Sequence, residues 1–79
     1  MRVRVKLFAT LRHHAPSAAI GLPFEVDLAE GATVADLINH LSLPAEEVKI
    51  VYINARARPE DWCLESGDEI GIFPPIGGG

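Results

Sequence analysis

Hydrophobic and polar residues alternate strictly over residues 2–8, with Val3, Val5 and Leu7 on one face and Arg2, Arg4, Lys6 and Phe8 on the other. A period of two over this length predicts a half-buried strand. Its basic positions read as a solvated face, and Phe8, which breaks that face, marks a contact surface. Residues 9–22 carry no such period. Pro16 and Gly21 interrupt any long element there, so a loop with short helix is expected. Alternation returns over residues 24–28, where Phe24, Val26 and Leu28 point inward, and predicts a second strand antiparallel to the first. After the turn Glu30-Gly31-Ala32, Thr33 and Asp36 have the spacing of a capping box in its Asp form. Val34, Leu37, Ile38 and Leu41 then repeat at helical spacing and predict one helix with an apolar stripe against a sheet. His40 lies off that stripe near the helix C-terminus, where its cationic form suits the macrodipole. Ser42-Leu43-Pro44 ends the element.

The apolar run of residues 48–53, with one lysine, Lys49, and one tyrosine, Tyr52, is strand-length, and Asn54, which tolerates left-handed backbone, marks a turn after it. Residues 55–57 predict a short edge strand blunted by Arg56, Arg58 and Pro59. Trp62 and Leu64 are expected to cover one end of the core, with Cys63 between them a small, partly buried apolar residue. Ser66-Gly67-Asp68 is a tight turn, and residues 69–73 form the last strand with Ile70 and Ile72 inward and Phe73 outward. Two strands, a crossing helix and further strands are the order of the α+β β-grasp, or ubiquitin-like, roll. That fold is expected over residues 1–73, with a mixed sheet of four to five strands and first and last strands parallel neighbours. Phe8 and Phe73 then share the solvent face with Arg4 and Lys6, an apolar patch with a basic rim suited to a partner.

Beyond the last strand the chain reads Pro74-Pro75-Ile76-Gly77-Gly78-Gly79. Two prolines stiffen this exit and three glycines remove every side chain from its end. Measured from Phe73 and fully extended, it reaches ~20 Å. Residues 74–79 are therefore expected to be a flexible tail whose terminal carboxylate enters a channel too narrow for side chains. Another protein's active site can then act on the Gly79 carbon.

Composition narrows the setting. The 79 residues allow one small domain, and 48% hydrophobic content argues against disorder. The single cysteine, Cys63, rules out an intramolecular disulfide and points to a reducing cytoplasm. Its acidic neighbours Asp61 and Glu65 do not make the electropositive setting of a catalytic thiolate. No stretch approaches the ~20 apolar residues of a membrane helix, so no membrane partner is expected. The net charge is −4, yet Arg2, Arg4, Lys6 and Arg12 fall in the first twelve positions, which contain no acid. That is one basic strand face, too small for a nucleic-acid footprint. His13-His14 lacks the further ligands a metal needs and reads as exposed loop.

Several joined motifs are similar to the MoaD/ThiS family of sulfur carriers, and within it most of all to the branch that serves as molybdopterin synthase small subunits. Val5-Lys6-Leu7-Phe8-Ala9 with Leu11-Arg12 resembles the family's opening strand and turn, and Glu30-Gly31-Ala32-Thr33-Val34-Ala35-Asp36-Leu37 resembles the start of its helix. Ile53-Asn54, Gly67-Asp68-Glu69-Ile70, Phe73-Pro74-Pro75-Ile76 and terminal Gly78-Gly79 resemble its carboxyl third. Arg58-Pro59-Glu60-Asp61-Trp62 resembles instead the thiamine-pathway sulfur carrier. The resemblance implies that an E1-like adenylyltransferase spends ATP to adenylate Gly79. A sulfur donor such as a cysteine desulfurase or rhodanese then makes the thiocarboxylate. It further implies that the synthase large subunit receives the tail, so that sulfur passes to the pyranopterin precursor of the molybdenum cofactor. No cofactor is implied for this chain itself, and a ubiquitin-like modifier joined to target lysines is the other class the diglycine allows.

Overall fold

The computed structural model describes residues 1–16 and 19–75. Its strands are β1 (Arg2–Leu7), β2 (Phe24–Asp27), β3 (Ile50–Ile53), β4 (Arg56–Ala57) and β5 (Glu69–Phe73), with one α-helix, α1 (Val34–His40), between β2 and β3. The strands form one mixed sheet in the order β2-β1-β5-β3-β4. Alternation in β1 is realised as Val3, Val5 and Leu7 buried at 1% exposure or less. The first and last strands are parallel neighbours, with Val5 opposite Ile70 and Leu7 opposite Ile72, and β1 pairs antiparallel with β2. On the solvent side of that second pair Arg2 Nε donates to Asp27 Oδ1 at 2.8 Å. This hydrogen bond, with the guanidinium charge behind it, holds the Asp27 carboxyl below its usual range.

The helix packs Val34, Leu37 and Ile38 onto the sheet's inner face, beside Ile72, Val51, Ile53 and Leu64 in one core. Its start is doubly secured. Thr33 N–H donates to Asp36 Oδ2 at 2.9 Å and Asp36 N–H to Thr33 Oγ1 at 3.3 Å, closing the expected capping box. The N–H groups of Val34 and Ala35, which have no intrahelical acceptor, donate to the carbonyls of Trp62 and Glu60 at 3.0 and 2.9 Å. The helix stops through Ser42, which adopts φ 58°. Ser42 N–H then bonds to Asn39 O and Leu43 N–H to Ile38 O, the pattern of a Schellman motif, with Leu43 buried beyond it. Loss of the capping side chain in Thr33→Ala is expected to cost about 1 kcal/mol in urea unfolding.

Two expectations need correction in the connection between Pro59 and Leu64. Leu64 is buried, but Trp62 is 38% exposed and Cys63 is exposed as well. Cys63 pairs with Thr33 through the backbone in an isolated antiparallel bridge, so at this residue the segment is held by its peptide group and not by the side chain. The Trp62 ring packs against the Arg58 guanidinium, 3.9 Å from its centroid, instead of entering the core. A 3-10 helix at Ala45–Glu47, absent from the sequence reading, precedes β3 and delays its start to Ile50. The loop after β1 contains a 3-10 helix, Ala9–His14, which buries Leu11 and leaves His13 and His14 on the surface, with His14 Nε2 3.5 Å from a Glu47 carboxylate oxygen. No helix among the described residues is long and apolar enough to cross a membrane.

Candidate functional site

The parallel β1–β5 pairing builds the site, because it brings the end of the first strand to the end of the last. Lys6 lies opposite Gly71, and Phe8 N–H, just past β1, donates to Ile72 O at 3.1 Å. Ala9 then leaves the sheet at φ 52°, turning the chain toward the core through Leu11. The Phe8 side chain therefore stays beside Phe73. Their rings stack with centroids 4.1 Å apart and planes 10° from parallel. Lys6 Nζ sits 5.0 Å from the Phe8 ring centroid, within cation–π reach. The residues expected to form the patch are thus together, with Phe8 and Phe73 half-buried against each other and Arg4 exposed beside them.

One member was missed. Tyr52 on β3 lies opposite Gly71 and meets the Phe73 ring edge-on, centroids 5.5 Å apart at 82°. Its position was available from the sequence by counting back from an inward Ile53, since successive strand residues alternate faces. The adjacent apolar residues Ile50 and Val51, on opposite faces, hid that alternation. Together Phe8, Phe73 and Tyr52 make an aromatic surface whose rim carries Arg4 and Lys6. Ion pairs among the described residues join Arg2 to Glu25 and Asp27 and the amino terminus to Glu30, His14 lies beside Glu47, and Arg4 and Lys6 take part in none of these contacts. The face offers apolar area with unpaired positive charge. No group of three His, Cys, Asp or Glu side chains among the described residues is placed to hold a metal ion.

The exit from β5 is set by the same geometry. Lys49 N–H donates to Phe73 O at 2.8 Å, so sheet bonding continues to the last residue before the prolines. Pro74 and Pro75 have no N–H to extend the ladder, and Pro74 is half-buried while Pro75 is exposed. The chain therefore leaves the sheet at the aromatic stack. Ile76, Gly77, Gly78 and Gly79, the remaining residues of the expected tail, lie outside the described residues.

The family model for ThiS matches residues 5–79, from the middle of β1 through the glycines. The chain belongs to the ThiS family. Curated proteins give no match, whereas solved structures do. A Pyrococcus furiosus protein assigned as molybdopterin converting factor subunit 1 is 32% identical at a TM-score of 0.74, covering 95% of this chain and 98% of its own. SAMP1 from Haloferax volcanii is 28% identical at a TM-score of 0.72, with both chains covered completely. Subunit 1 of the Helicobacter pylori molybdopterin-converting factor, determined as a complex with subunit 2, covers both chains completely at 20% identity and a TM-score of 0.63, a likeness of fold. This ThiS-family chain is thus a ubiquitin-like β-grasp protein of the sulfur carrier and modifier group.

Proposed function

We propose that this ThiS-family chain carries sulfur on the carboxylate of Gly79 for molybdopterin synthesis. The observation that carries the reading is the aromatic and basic patch at the root of the Pro74-Pro75 exit, which supplies a handle beside a side-chain-free end. A carboxylate is a poor acyl donor because its oxygen leaves badly. An E1-like adenylyltransferase joins it to AMP from ATP with release of pyrophosphate. A donor such as a cysteine desulfurase or rhodanese attacks the mixed anhydride with the outer sulfur of its persulfide, forming the C–S bond as AMP leaves with the C–O bond electrons, and a thiol reductant then cleaves the acyl disulfide to free the thiocarboxylate. The thiocarboxylate sulfur then attacks a carbon of the pyranopterin precursor within the large subunit and displaces an oxygen substituent, which leaves with its bonding electrons, and hydrolysis of the acyl–sulfur bond leaves that sulfur behind and restores the carboxylate. Enclosure in the partner keeps water from the activated carbonyl and holds sulfur near its target. The similarity to the Pyrococcus protein supports the molybdopterin pathway, and the subunit pair in Helicobacter supports a large-subunit partner.

A second reading has its own support. The likeness to SAMP1 over the whole chain favours a modifier whose diglycine is joined to target lysines. The family model and the Arg58-Pro59-Glu60-Asp61-Trp62 stretch favour the thiamine pathway as the sulfur's destination. Incubation with ATP, the activating enzyme and a sulfur donor, followed by intact mass spectrometry, separates carrier from modifier. The carrier reading expects exchange of one oxygen for sulfur, and exclusive formation of isopeptide-linked species would refute it. Dithiolene formation on supply of precursor and large subunit tests the pathway. In either reading Phe73→Glu is expected to weaken partner binding by about tenfold or more while the domain stays folded, because it places a carboxylate in a desolvated apolar contact. Unchanged affinity in titration calorimetry would remove the patch from the account.

A further inference from the structure

Gly71 occupies the middle of β5, itself the central strand of the sheet. Glycine there is unexpected, since it adds conformational entropy to the unfolded chain and no side chain to the strand. Nor does the backbone require it, because its φ lies outside the left-handed region. Register places it on the solvent face between Lys6 of β1 and Tyr52 of β3, with Ala57 of β4 opposite Tyr52. A Cβ at Gly71 would sit 3.2 Å from Phe8 Cε2 and 3.4 Å from Phe73 Cε1, so the missing side chain also leaves room for the ring stack. Beside that stack lies an open hollow of about 200 Å³ lined by Arg4, Lys6, Phe8, Tyr52, Glu69 and Gly71. Its walls are aromatic, and its charged rim has two cations to one carboxylate, with neither cation in an ion pair among the described residues.

We infer that Gly71 is the specificity-determining position of this face. The hollow it keeps open takes one apolar side chain of the activating enzyme, with a carboxylate of that enzyme beside it against Lys6 and Arg4. This rests, for the choice of partner, on the reading of the tail as the substrate of an activating enzyme, which is common to a carrier for molybdopterin or thiamine and to a modifier. An apolar knob fits the aromatic walls, and the rim supplies charge complementarity for the acid. A side chain at position 71 fills the receiving space from the carrier's side, and so opposes docking.

The test uses the full chain and the purified activating enzyme of the same organism without ATP. Gly71→Ala is expected to leave the domain folded and to weaken Kd by about tenfold, and Gly71→Leu to weaken it further. Lys6→Glu is expected to weaken Kd and flatten its dependence on salt. Ring-current shifts of Phe8 and Phe73 in NMR spectra of the free variants locate the effect. Weaker binding with the shifts retained assigns it to the filled hollow, whereas loss of the stack in Gly71→Ala would overturn the inference. Parental affinity in Gly71→Leu, or in Gly71→Ala should the leucine variant not fold, would overturn it too. If Gly71→Leu binds like the parent and the parent takes up sulfur, the hollow fails and the carrier reading stands. If Kd depends on Gly71 but the parent never takes up sulfur, the carrier reading fails and the hollow stands.

Discussion

Removal of Gly79 is expected to abolish sulfur loading altogether and to move the unfolding midpoint by no more than about 3 °C. The two effects are expected to separate because, among the described residues, the core is drawn from Val3 to Ile72 and neither Pro74 nor Pro75 is in it. Gly78→Trp is expected to give the same pair of results by a different route, since the terminal carbon remains but an indole must pass a channel shaped for glycine. Intact mass after incubation with ATP, the activating enzyme and a sulfur donor reads the first effect, and a thermal melt the second. A truncated chain that melts 10 °C or more below the parent would show, at roughly 4–8 °C per kcal/mol for a domain of this size, that the tail packs on the body. Loading that survives truncation would place the reactive group elsewhere.

Asp68→Ala is expected to produce the largest loss of stability from a polar residue, about 2–4 kcal/mol in urea unfolding. Asp68 is 8% exposed and is the buried charged residue among those described. Its Oδ1 accepts from Asn54 Nδ2 at 2.9 Å and its Oδ2 from the Glu65 N–H at 2.8 Å, while Asn54 Oδ1 accepts from the Glu69 N–H at 3.0 Å. Truncation leaves two part-buried donors without acceptors and frees the Asn54 turn, where Asn54 and Ala55 both have positive φ. Against a total of about 4–12 kcal/mol for a chain of this length, the loss brings the variant near its unfolding threshold. Asp68→Asn is expected to recover little, because its amide turns a donor toward one of the two N–H groups. A loss under about 1 kcal/mol would mean that water replaces the carboxylate easily.

This network explains why motifs joined across the chain were informative. Asn54 and Gly67-Asp68-Glu69 are far apart in sequence and form one hydrogen-bonded unit, with Gly67 in a positive-φ turn at 88°. Their co-occurrence is a contact written in residue types. The strands were legible for a simpler reason, since β1, β2 and β5 each bury one face and expose the other, and a period of two survives in the sequence. The capping box was legible because Thr33 and Asp36 are local partners. Ser42 was read as part of a stop, but nothing in its type distinguishes a Schellman turn, usually made by glycine, from an ordinary loop. Trp62 was misplaced because size and apolarity favour burial, whereas its ring is held by Arg58, a partner that hydrophobicity alone does not reveal. Of the site, Phe8 and Phe73 were found by their faces, and Tyr52 was lost in a run that looked buried on both sides.

The placement of β5 between β1 and β3 bears on how the protein is made. A nascent chain lacking β5 has neither the centre of its sheet nor Ile70 and Ile72, and its remaining strands have no common neighbour to join them. Such a long-range closure waits until translation is nearly complete. Phe73, half of the aromatic stack, arrives with the same strand, so a prematurely terminated product displays no recognition surface. Folding thereby acts as a proofreading step, since a product that stops short of β5 forms neither the closed sheet nor the aromatic face.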